Sequence, residues 1–328
     1  MSDCVPLVEV RRDGQLESLH RGIVVVADAS GLNHRVWGDP RQHVILRSAG
    51  KPFQAAQLIA GGAADALGLT DRELAVAIGS HGGAPEHVQV VRSLMEKSEV
   101  DARMLKCGIH PPFDRAARTL SRHKGATVLQ NNCSGKHAAM LAGAIFLGQP
   151  IETYLHPSHP WQRAIHKLLA VAAGVDEQNI ATVTDGCGAP SFVLPAEAAA
   201  RAYAALAAAD DGPLARVWSA ATGHPRMMAG EGRLETDLME AWPGRLLTKS
   251  GAEGVYAIAA RTDAGPRGAL LKIADGDDRR ARTAAALGVV AQLLELAPEA
   301  LEPLRQRYLP AITTLTGRPV GKIVTLLS

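Results

Sequence analysis

Apolar and polar residues alternate along the first part of the chain, from residue 5 to residue 29. This two-residue period is typical of strands that bury one face. Asp13-Gly14 interrupts the alternation where the turn of a β-hairpin is expected, and Ser30-Gly31 closes the last strand. The pattern therefore predicts that an antiparallel sheet begins the fold.

After residue 50 the apolar positions recur with the spacing of helices. Three successive segments show this period: KPFQAAQLIAGGAADALG, DRELAVAIGS and PEHVQVVRSLMEKSEV. Thr70 precedes the second segment and is a suitable N-cap for it. We expect the chain to be mainly helical to about residue 240.

Strand-like segments return in RLLTKSGAEGVYAIAA and RGALLKIADG, and the periodic helix RRARTAAALGVVAQLLEL follows them. Strands thus bracket a helical middle, which favours an α+β fold over regular βαβ alternation. The antiparallel sheet is expected to combine N- and C-terminal strands. We predict a single catalytic unit over residues 1–328, in which residues 1–47 and 245–328 form the sheet with flanking helices and residues 48–244 form the mainly helical part.

Composition and charge narrow the possible partners. The 328 residues suffice for a substantial core, and 35 basic against 33 acidic residues leave a net charge of only +2. This balance argues against nucleic acid or an anionic membrane as the partner, so a small molecule is expected. The N-terminal residues lack the pattern of a secretory signal, and no stretch is long enough to cross a bilayer, so we expect a cytoplasmic protein.

The cysteines are few and scattered. Because a chain of this size with so few thiols does not suggest a disulfide framework, we expect them to be reduced. Any cysteine with a function must then act as a thiolate or as a metal ligand. The four positions are Cys4, Cys107, Cys133 and Cys187, of which we interpret the first two as structural.

The segment HVILRSAGKPFQAAQLIA passes from an apolar strand into a helix, with Ser48 and Lys51 at the junction. At a helix start, side chains three residues apart share a face, which would bring the lysine amine to the serine hydroxyl. A lysine whose pKa is lowered by burial or nearby cations can take the serine proton. Backbone N–H groups at the helix start could bind an oxyanion. The alternative is that Ser48 caps the helix and Lys51 is solvated.

Two further segments extend this pattern. Ser80 ends the apolar run AVAIGS before a glycine-rich turn, and Lys249-Ser250-Gly251 follows the strand-like RLLT. Serine hydrolases of the penicillin-recognising type carry SxxK, a second serine or tyrosine, and KTG or KSG in this order. Separately, Ser80 could be a turn residue and Lys249 an exposed strand charge. Their order after SxxK favours the catalytic interpretation.

Thiols also occur in two turns. Cys133 and Lys136 stand three residues apart where the polar turn LQNNCSGK enters a helix, and His137 follows. A thiol at a helix start is expected to have a lowered pKa, so Cys133 and His137 could form a nucleophile pair. Cys187 lies in the glycine-flanked turn DGCGAP. The two thiols could instead meet at a zinc ion together with a nitrogen ligand, or be small buried residues.

Five segments taken together resemble the rhizobial-type, or class 3, L-asparaginases over nearly the whole chain. They are Ser48-Ala49-Gly50-Lys51-Pro52-Phe53-Gln54, Gly79-Ser80-His81-Gly82, Asn131-Asn132-Cys133-Ser134-Gly135-Lys136-His137, Asp185-Gly186-Cys187-Gly188-Ala189-Pro190 and Lys249-Ser250-Gly251-Ala252-Glu253-Gly254. The resemblance implies a fold similar to serine β-lactamases and glutaminases. It also implies a homodimeric enzyme that hydrolyses L-asparagine to L-aspartate and ammonia.

The same resemblance implies roles for particular residues. Ser48 would be the nucleophile with Lys51 as its base, and Ser80 with Lys249 would form a second pair. A zinc ion near the catalytic serine would be bound by Cys133, Lys136 and Cys187. The expected substrate contacts are Arg47, Asn132, His137, Asp185 and Gly251.

Some alternatives stay open. Lys272 also lies on an expected late strand and could replace Lys249 as the second lysine. Arg47 or Asp185 could hold the α-carboxylate or α-amino group of an amino acid. The chain could also be a related Ser-Lys amidohydrolase, such as a glutaminase or a β-lactam-hydrolysing enzyme. A non-catalytic, zinc-dependent ligand sensor on the same fold is a further possibility.

Overall fold

The structure is a computed structural model that describes residues 4–296 and 298–327. The chain divides into two compact units. The first comprises Met1–Ala49, Leu194–Ala208 and Thr248–Ser328, and the second comprises Gly50–Val193 and Ala209–Leu247. None of the described helices is both long and apolar enough to cross a membrane.

Strands and helices have the following bounds. In chain order, the strands are β1 (Val5–Arg12), β2 (Gln15–Ala27), β3 (Asn33–Trp37), β4 (His43–Ile45), β5 (Ala181–Thr184), β6 (Pro190–Pro195), β7 (Leu246–Ser250), β8 (Val255–Thr262), β9 (Gly265–Ile273), β10 (Ile312–Thr313) and β11 (Pro319–Thr325). The α-helices are α1 (Lys51–Ala60), α2 (Ala63–Ala66), α3 (Asp71–Ile78), α4 (Pro85–Lys97), α5 (Arg115–Lys124), α6 (Ser134–Phe146), α7 (Pro160–Ala173), α8 (Ala196–Ala208), α9 (Gly212–Gly223), α10 (Pro225–Met228), α11 (Leu234–Ala241), α12 (Ala281–Leu293) and α13 (Glu302–Tyr308).

The first unit is built on a sheet with the strand order β10-β11-β1-β2-β9-β8-β7, and β3 also pairs with β2. The N-terminal strand β1 pairs antiparallel with β11, and β2 pairs antiparallel with β9. Strands from both ends of the chain therefore share one antiparallel sheet. The predicted α+β class is confirmed.

The β1–β2 hairpin turns at the predicted Asp13-Gly14. Both residues have positive φ, +43° and +84°. A two-residue turn with positive φ at both positions matches the twist of the strands it joins, and Asp-Gly adopts it readily. The expected turn is thus confirmed by the backbone conformation.

Helix α8 packs on the sheet of the first unit, against β9 in particular. A Cβ atom at Gly268 of β9 would lie 2.0 Å from the Ala200 carbonyl oxygen and 2.2 Å from the Ala204 nitrogen. The glycine therefore allows the helix backbone to lie directly on the strand. The sequence pattern places α8 in the helical middle, residues 48–244, whereas in the structure this helix belongs to the first unit and packs on its sheet.

The second unit is mainly helical, with α1, α3, α6 and α9 packed against one another. Thr70 caps α3 as predicted, because its hydroxyl accepts from the Glu73 backbone and the Glu73 side chain accepts from the Thr70 backbone. At Gly135, a Cβ atom would lie 2.4 Å from the Val76 carbonyl oxygen. The first turn of α6 therefore lies directly against α3.

The antiparallel pair β5–β6 is joined by the loop of residues 185–189. The Asp185 nitrogen donates to the Ala189 carbonyl at 2.9 Å, and the Gly188 nitrogen donates to the Asp185 carbonyl at 2.9 Å. These bonds close a tight loop that contains Cys187. The fold of the second unit thereby fixes the position of this thiol.

Candidate functional site

Ser48 lies in a short 3₁₀ helix, Arg47–Gly50, which leads directly into α1 at Lys51. Arg47 has a φ of +50°, in the left-handed region that costs a side-chain-bearing residue about 1–3 kcal/mol. The turn is held within the first unit, where the Tyr203 hydroxyl donates to the Ala49 carbonyl at 2.6 Å. Strained backbone of this kind is concentrated at functional sites.

Lys51, the first residue of α1, is 1% exposed. Its Nζ atom donates to the Gly79 carbonyl at 2.7 Å, to Ser80 Oγ at 2.9 Å and to the Asn132 carbonyl at 3.1 Å. The contact between Lys51 and Ser80 was not predicted from the sequence. It brings a buried amine to a hydroxyl, which is the pairing that proton transfer requires.

Burial is the main cause that lowers the pKa of Lys51 below its ordinary value of 10.5. The positive charge of Lys136 acts in the same direction, whereas the charges of Cys133 and Cys187 oppose the shift. A lowered pKa makes the neutral amine more accessible near neutral pH. Lys51 therefore has the environment expected of a general base.

Ser80 lies in the loop of residues 79–84 between α3 and α4, which we call the Ser80 loop. A Cβ atom at Gly79 would lie 2.2 Å from the Met228 carbonyl oxygen. The loop therefore passes too close to the residue 228 backbone for any side chain at position 79. This close packing fixes the position of Ser80, which is 7% exposed.

Cys133, Lys136 and Cys187 come together in the second unit, and all three are buried. Lys136 Nζ donates to Cys187 Sγ at 2.9 Å, and the two thiols are hydrogen bonded to each other. The hydrogen bond from Cys187 lowers the pKa of Cys133 well below 9.0, aided by the positive charges of Lys51 and Lys136 against the effect of burial. The pair thus favours a thiolate at Cys133 and a thiol at Cys187, whose own pKa is raised by that hydrogen bond and by burial.

Lys136 completes the charge balance of this cluster. Burial lowers its pKa, but the attraction of Cys133 and Cys187 is stronger and raises the pKa above 10.5. Its amine proton therefore points at sulfur rather than at solvent. The amine and the thiols are donors of the kind that bind zinc, and a metal ion would take the place of the protons they share.

The donor set differs from common zinc sites. Across the described part of the chain, no three histidine, cysteine, aspartate or glutamate side chains come together in a way that could hold a metal ion. The predicted set has two thiols and takes its third donor from a lysine. Because the three donors are buried and already in contact through hydrogen bonds, they fit a zinc ion in chemistry and proximity.

Asn131 positions the cluster and was not among the predicted site residues. Its Nδ2 atom donates to the carbonyls of Cys107 and Gly108 at 2.9 and 3.1 Å. Its Oδ1 atom accepts from the Cys133 nitrogen at 2.8 Å. Asn131 thus ties the start of α6 to a distant loop, a role that only the NNCSG motif could have suggested.

The other predicted residues of the second unit have distinct surroundings. The Asn132 nitrogen donates to His110 Nε2 at 3.1 Å, and Asp185 begins the Cys187 loop. His137 Nδ1 lies 2.7 Å from the Tyr154 hydroxyl, while its Nε2 atom is buried and lacks a hydrogen-bond partner among the described residues. The alternative Cys133–His137 nucleophile pair is therefore not formed.

In the first unit, Lys249 is 2% exposed and its Nζ atom donates to the Ser250 carbonyl at 2.8 Å. At Gly251, a Cβ atom would lie 2.6 Å from the Leu46 carbonyl oxygen, so the KSG strand end passes close to the segment before Arg47. Lys272, the alternative second lysine, is partly exposed and donates to the carbonyls of Glu253 and Ile273. The choice between the two lysines stays a prediction.

Comparisons with known proteins add the following findings. A family model described as L-asparaginase II matches residues 8–325. A solved structure described as Mglu in its tris and glutamate form is 15% identical, with a TM-score of 0.37 over 88% of this chain. The match spans 63% of the length of that chain. No curated protein matches the sequence.

Proposed function

This chain belongs to the L-asparaginase II family, and from that premise we propose that it is a rhizobial-type, class 3 L-asparaginase that hydrolyses L-asparagine to L-aspartate and ammonia. Family membership supports an amidohydrolase acting on a small molecule. The observation that carries the proposal is the buried Lys51 amine in contact with the Ser80 hydroxyl. A lysine amine beside a hydroxyl is one means of ionising an alcohol near neutral pH, and such a pair is costly to bury without a use.

In the proposed reaction, Ser48 attacks the side-chain amide carbon of L-asparagine while Lys51 takes its proton. Burial supports this role, because it lowers the pKa of Lys51. Backbone N–H groups at the start of α1 would stabilise the oxyanion of the tetrahedral intermediate. Collapse of this intermediate gives a β-aspartyl ester of Ser48 and releases ammonia.

The leaving nitrogen needs a proton before it can depart. The Ser80 hydroxyl, 2.9 Å from Lys51 Nζ, is suited to pass a proton from the lysine to that nitrogen. Lys249 would support Ser80 in this step as the second lysine. Water then attacks the ester and the protons return along the same path, which regenerates Ser48 and neutral Lys51.

Substrate recognition is proposed for the residues that flank these groups. Arg47 or Asp185 would hold the α-carboxylate or α-amino group by charge pairing. Asn132, His137 and Gly251 would provide the remaining contacts. The buried, unpaired Nε2 atom of His137 supports a polar contact for this residue.

Zinc is proposed as a cofactor bound by Cys133, Lys136 and Cys187. When bound, it supplies a fixed positive charge that orients an oxygen of the substrate. The chain's own contribution is to hold two sulfur donors and one nitrogen donor in a buried cluster. We also propose a homodimer in the cytoplasm, and sedimentation of the purified protein tests the dimer.

The decisive experiment measures ammonia release from L-asparagine and L-glutamine by the wild type and by Ser48→Ala. We expect L-asparagine to be the better substrate and Ser48→Ala to be inactive. In the wild type, mass spectrometry after rapid quench should detect a β-aspartyl adduct on Ser48. Preference for L-glutamine or for a β-lactam would identify a related amidohydrolase. Asparagine binding without turnover would identify a sensor, and full activity of Ser48→Ala would refute the mechanism.

A further inference from the structure

His81 follows Ser80 in the chain, and its imidazole is fully buried. Its Nδ1 atom lies 3.2 Å from the backbone nitrogen of Gly83, and its Nε2 atom lies 3.0 Å from Ser134 Oγ. A backbone N–H can only donate, so Nδ1 is the acceptor and bears no proton. The neutral ring therefore carries its proton on Nε2.

The Ser134 hydroxyl has its direction fixed as well. Its Oγ atom lies 2.8 Å from the Leu129 carbonyl, which can only accept. Because the hydroxyl has one proton and gives it to Leu129, Oγ must accept from His81 Nε2–H. A continuous series of donors and acceptors thus runs from the Gly83 N–H through His81 and Ser134 to Leu129.

This bridge joins the same two segments that hold the Lys51 amine. Lys51 Nζ donates to Gly79 and Ser80 on the Ser80 loop, and to the Asn132 carbonyl on the other side. His81 is adjacent to Ser80, and Ser134 is two residues from Asn132. The separation of these segments therefore determines whether one amine can reach both.

We propose that His81 is a positioning residue, whose Nε2–H bond to Ser134 fixes the spacing between the Ser80 loop and Asn132 and thereby holds the Lys51 amine against the Ser80 hydroxyl. The inference rests on the proposed function, in which Lys51 and Ser80 transfer protons. A small displacement of groups that transfer protons lowers turnover more than it lowers substrate binding. The bridge is thus expected to act on kcat.

Two substitutions at His81 separate its two hydrogen bonds. In His81→Asn, the amide oxygen can still accept from Gly83 N–H, but the side chain is too short to reach Ser134. In His81→Gln, the longer amide can still donate to Ser134. Ser134→Ala removes the acceptor of the same bond. We expect kcat to fall roughly ten- to a hundredfold in His81→Asn and Ser134→Ala with little change in KM, and to recover in His81→Gln.

The double variant His81→Asn with Ser134→Ala tests whether both changes act on one bond. Its kcat should equal that of the poorer single variant, because the effects of two substitutions that remove the same hydrogen bond do not add. The proposal would be overturned if the loss of kcat in the double variant equalled the product of the two single losses. A His81→Gln variant as impaired as His81→Asn would overturn it as well. If His81→Asn fails to fold, His81→Gln and Ser134→Ala still give opposite expected results.

His159 provides a matched control. It is 4% exposed, its Nδ1 atom accepts from the Trp161 nitrogen at 3.1 Å, and its Nε2 atom lies 2.9 Å from the Pro150 carbonyl. Its local turn therefore repeats that of His81, but its Nε2 bond does not lead to Ser134. His159→Asn should retain kcat, and an equal loss in His159→Asn and His81→Asn would show a merely structural role.

A second readout separates this inference from the choice of substrate. The rate at which a fluorophosphonate probe labels the active serine depends on proton transfer from that serine but not on asparagine recognition. Labelling should slow in His81→Asn and Ser134→Ala and not in His159→Asn. If the wild type is labelled but does not hydrolyse L-asparagine, the proposal that L-asparagine is the substrate is refuted. The labelling rates of the variants still decide the role of His81. If it is neither labelled nor active, both proposals fall.

Discussion

Lys51 Nζ and Ser80 Oγ lie 2.9 Å apart, and both side chains are buried. The lysine begins α1 and the serine follows α3, so 29 positions of chain separate them. Two backbone carbonyls, from Gly79 and Asn132, accept the other hydrogen bonds of the amine. The amine is therefore fixed in direction, which is the condition for transferring a proton to one chosen hydroxyl.

Replacement of Lys51 should strongly reduce turnover while the protein stays folded. Lys51→Met removes the proposed base, and Lys51→Arg keeps a positive charge that cannot be deprotonated near neutral pH. We expect kcat to fall roughly 10²–10⁴-fold in both variants, measured by ammonia release. Lys167→Met, on the exposed face of α7, is the control and should keep wild-type kcat. An active Lys51→Arg variant would exclude Lys51 as the base.

Loss of either thiol of the cluster should remove bound zinc. In Cys133→Ser and Cys187→Ser a hydroxyl replaces the sulfur ligand. A hydroxyl binds zinc much more weakly than a thiolate does. Metal content after dialysis, measured by mass spectrometry, should fall from about one zinc per chain to near zero. Cys107→Ser is the control, because Cys107 is equally buried but burial raises its pKa to about 12. Zinc retained in Cys187→Ser would contradict the proposed ligands.

The Glu73 carboxylate stabilises the second unit in a pH-dependent way. It accepts from the Thr70 nitrogen at 2.7 Å, from Ser93 Oγ at 2.7 Å and from Lys97 Nζ at 2.8 Å. Although burial raises its pKa, the hydrogen bonds, led by that from Lys97, lower it below the ordinary 4.5. Because the pKa is depressed in the folded state, the stabilisation is present above the unfolded pKa and is lost as pH falls through the folded pKa.

Glu73→Gln should therefore lower the free energy of unfolding by about 1–3 kcal/mol at pH 7. The difference from wild type should shrink as the pH falls through the lowered, folded-state pKa of Glu73, because the wild-type side chain then becomes neutral like glutamine. Urea denaturation at pH 7 and at acidic pH gives both values. A difference that is unchanged between the two pH values would contradict a contribution from the charged carboxylate.

Gly268 should tolerate no side chain, because α8 lies directly on β9 at this position. A Cβ atom 2.0 Å from the Ala200 carbonyl oxygen must displace the helix backbone. We expect Gly268→Ala to lower the free energy of unfolding by about 1–3 kcal/mol. Gly223→Ala at the end of α9, where a Cβ atom would meet no atom within 4 Å, should not destabilise the protein. Equal thermal midpoints for the two variants would refute the packing argument.

The local features of the chain could be predicted because their causes are local. Asp13-Gly14 specifies a turn through its own allowed φ values, and Thr70 caps α3 by bonding a residue three positions away. The order of strands and helices also follows from the period of apolar residues, which gave the α+β class. The motifs around Ser48 and Cys133 were recognisable because their residues are close in sequence.

Contacts between distant segments could not be predicted in this way. The sequence did not show that Lys51 contacts Ser80, that Asn131 binds the carbonyl of Cys107, or that His81 bonds Ser134. Each depends on the angle at which separate helices pack, and that angle is set by close approaches such as Gly135 against the backbone of Val76. A period of apolar residues says which face is buried but not which neighbour covers it.

Sequence alone thus determined the N-terminal hairpin and its turn, the helical segments that follow it, and the chemical types of residue available for catalysis, because these depend on backbone preferences and neighbours within a few positions. Tertiary structure alone decided that α8 lies on the sheet, that Lys51 contacts Ser80, and that His81 bonds Ser134. The physical reason is that hydrogen bonds act over about 3 Å, so their partners are chosen only when packing brings distant parts of the chain together.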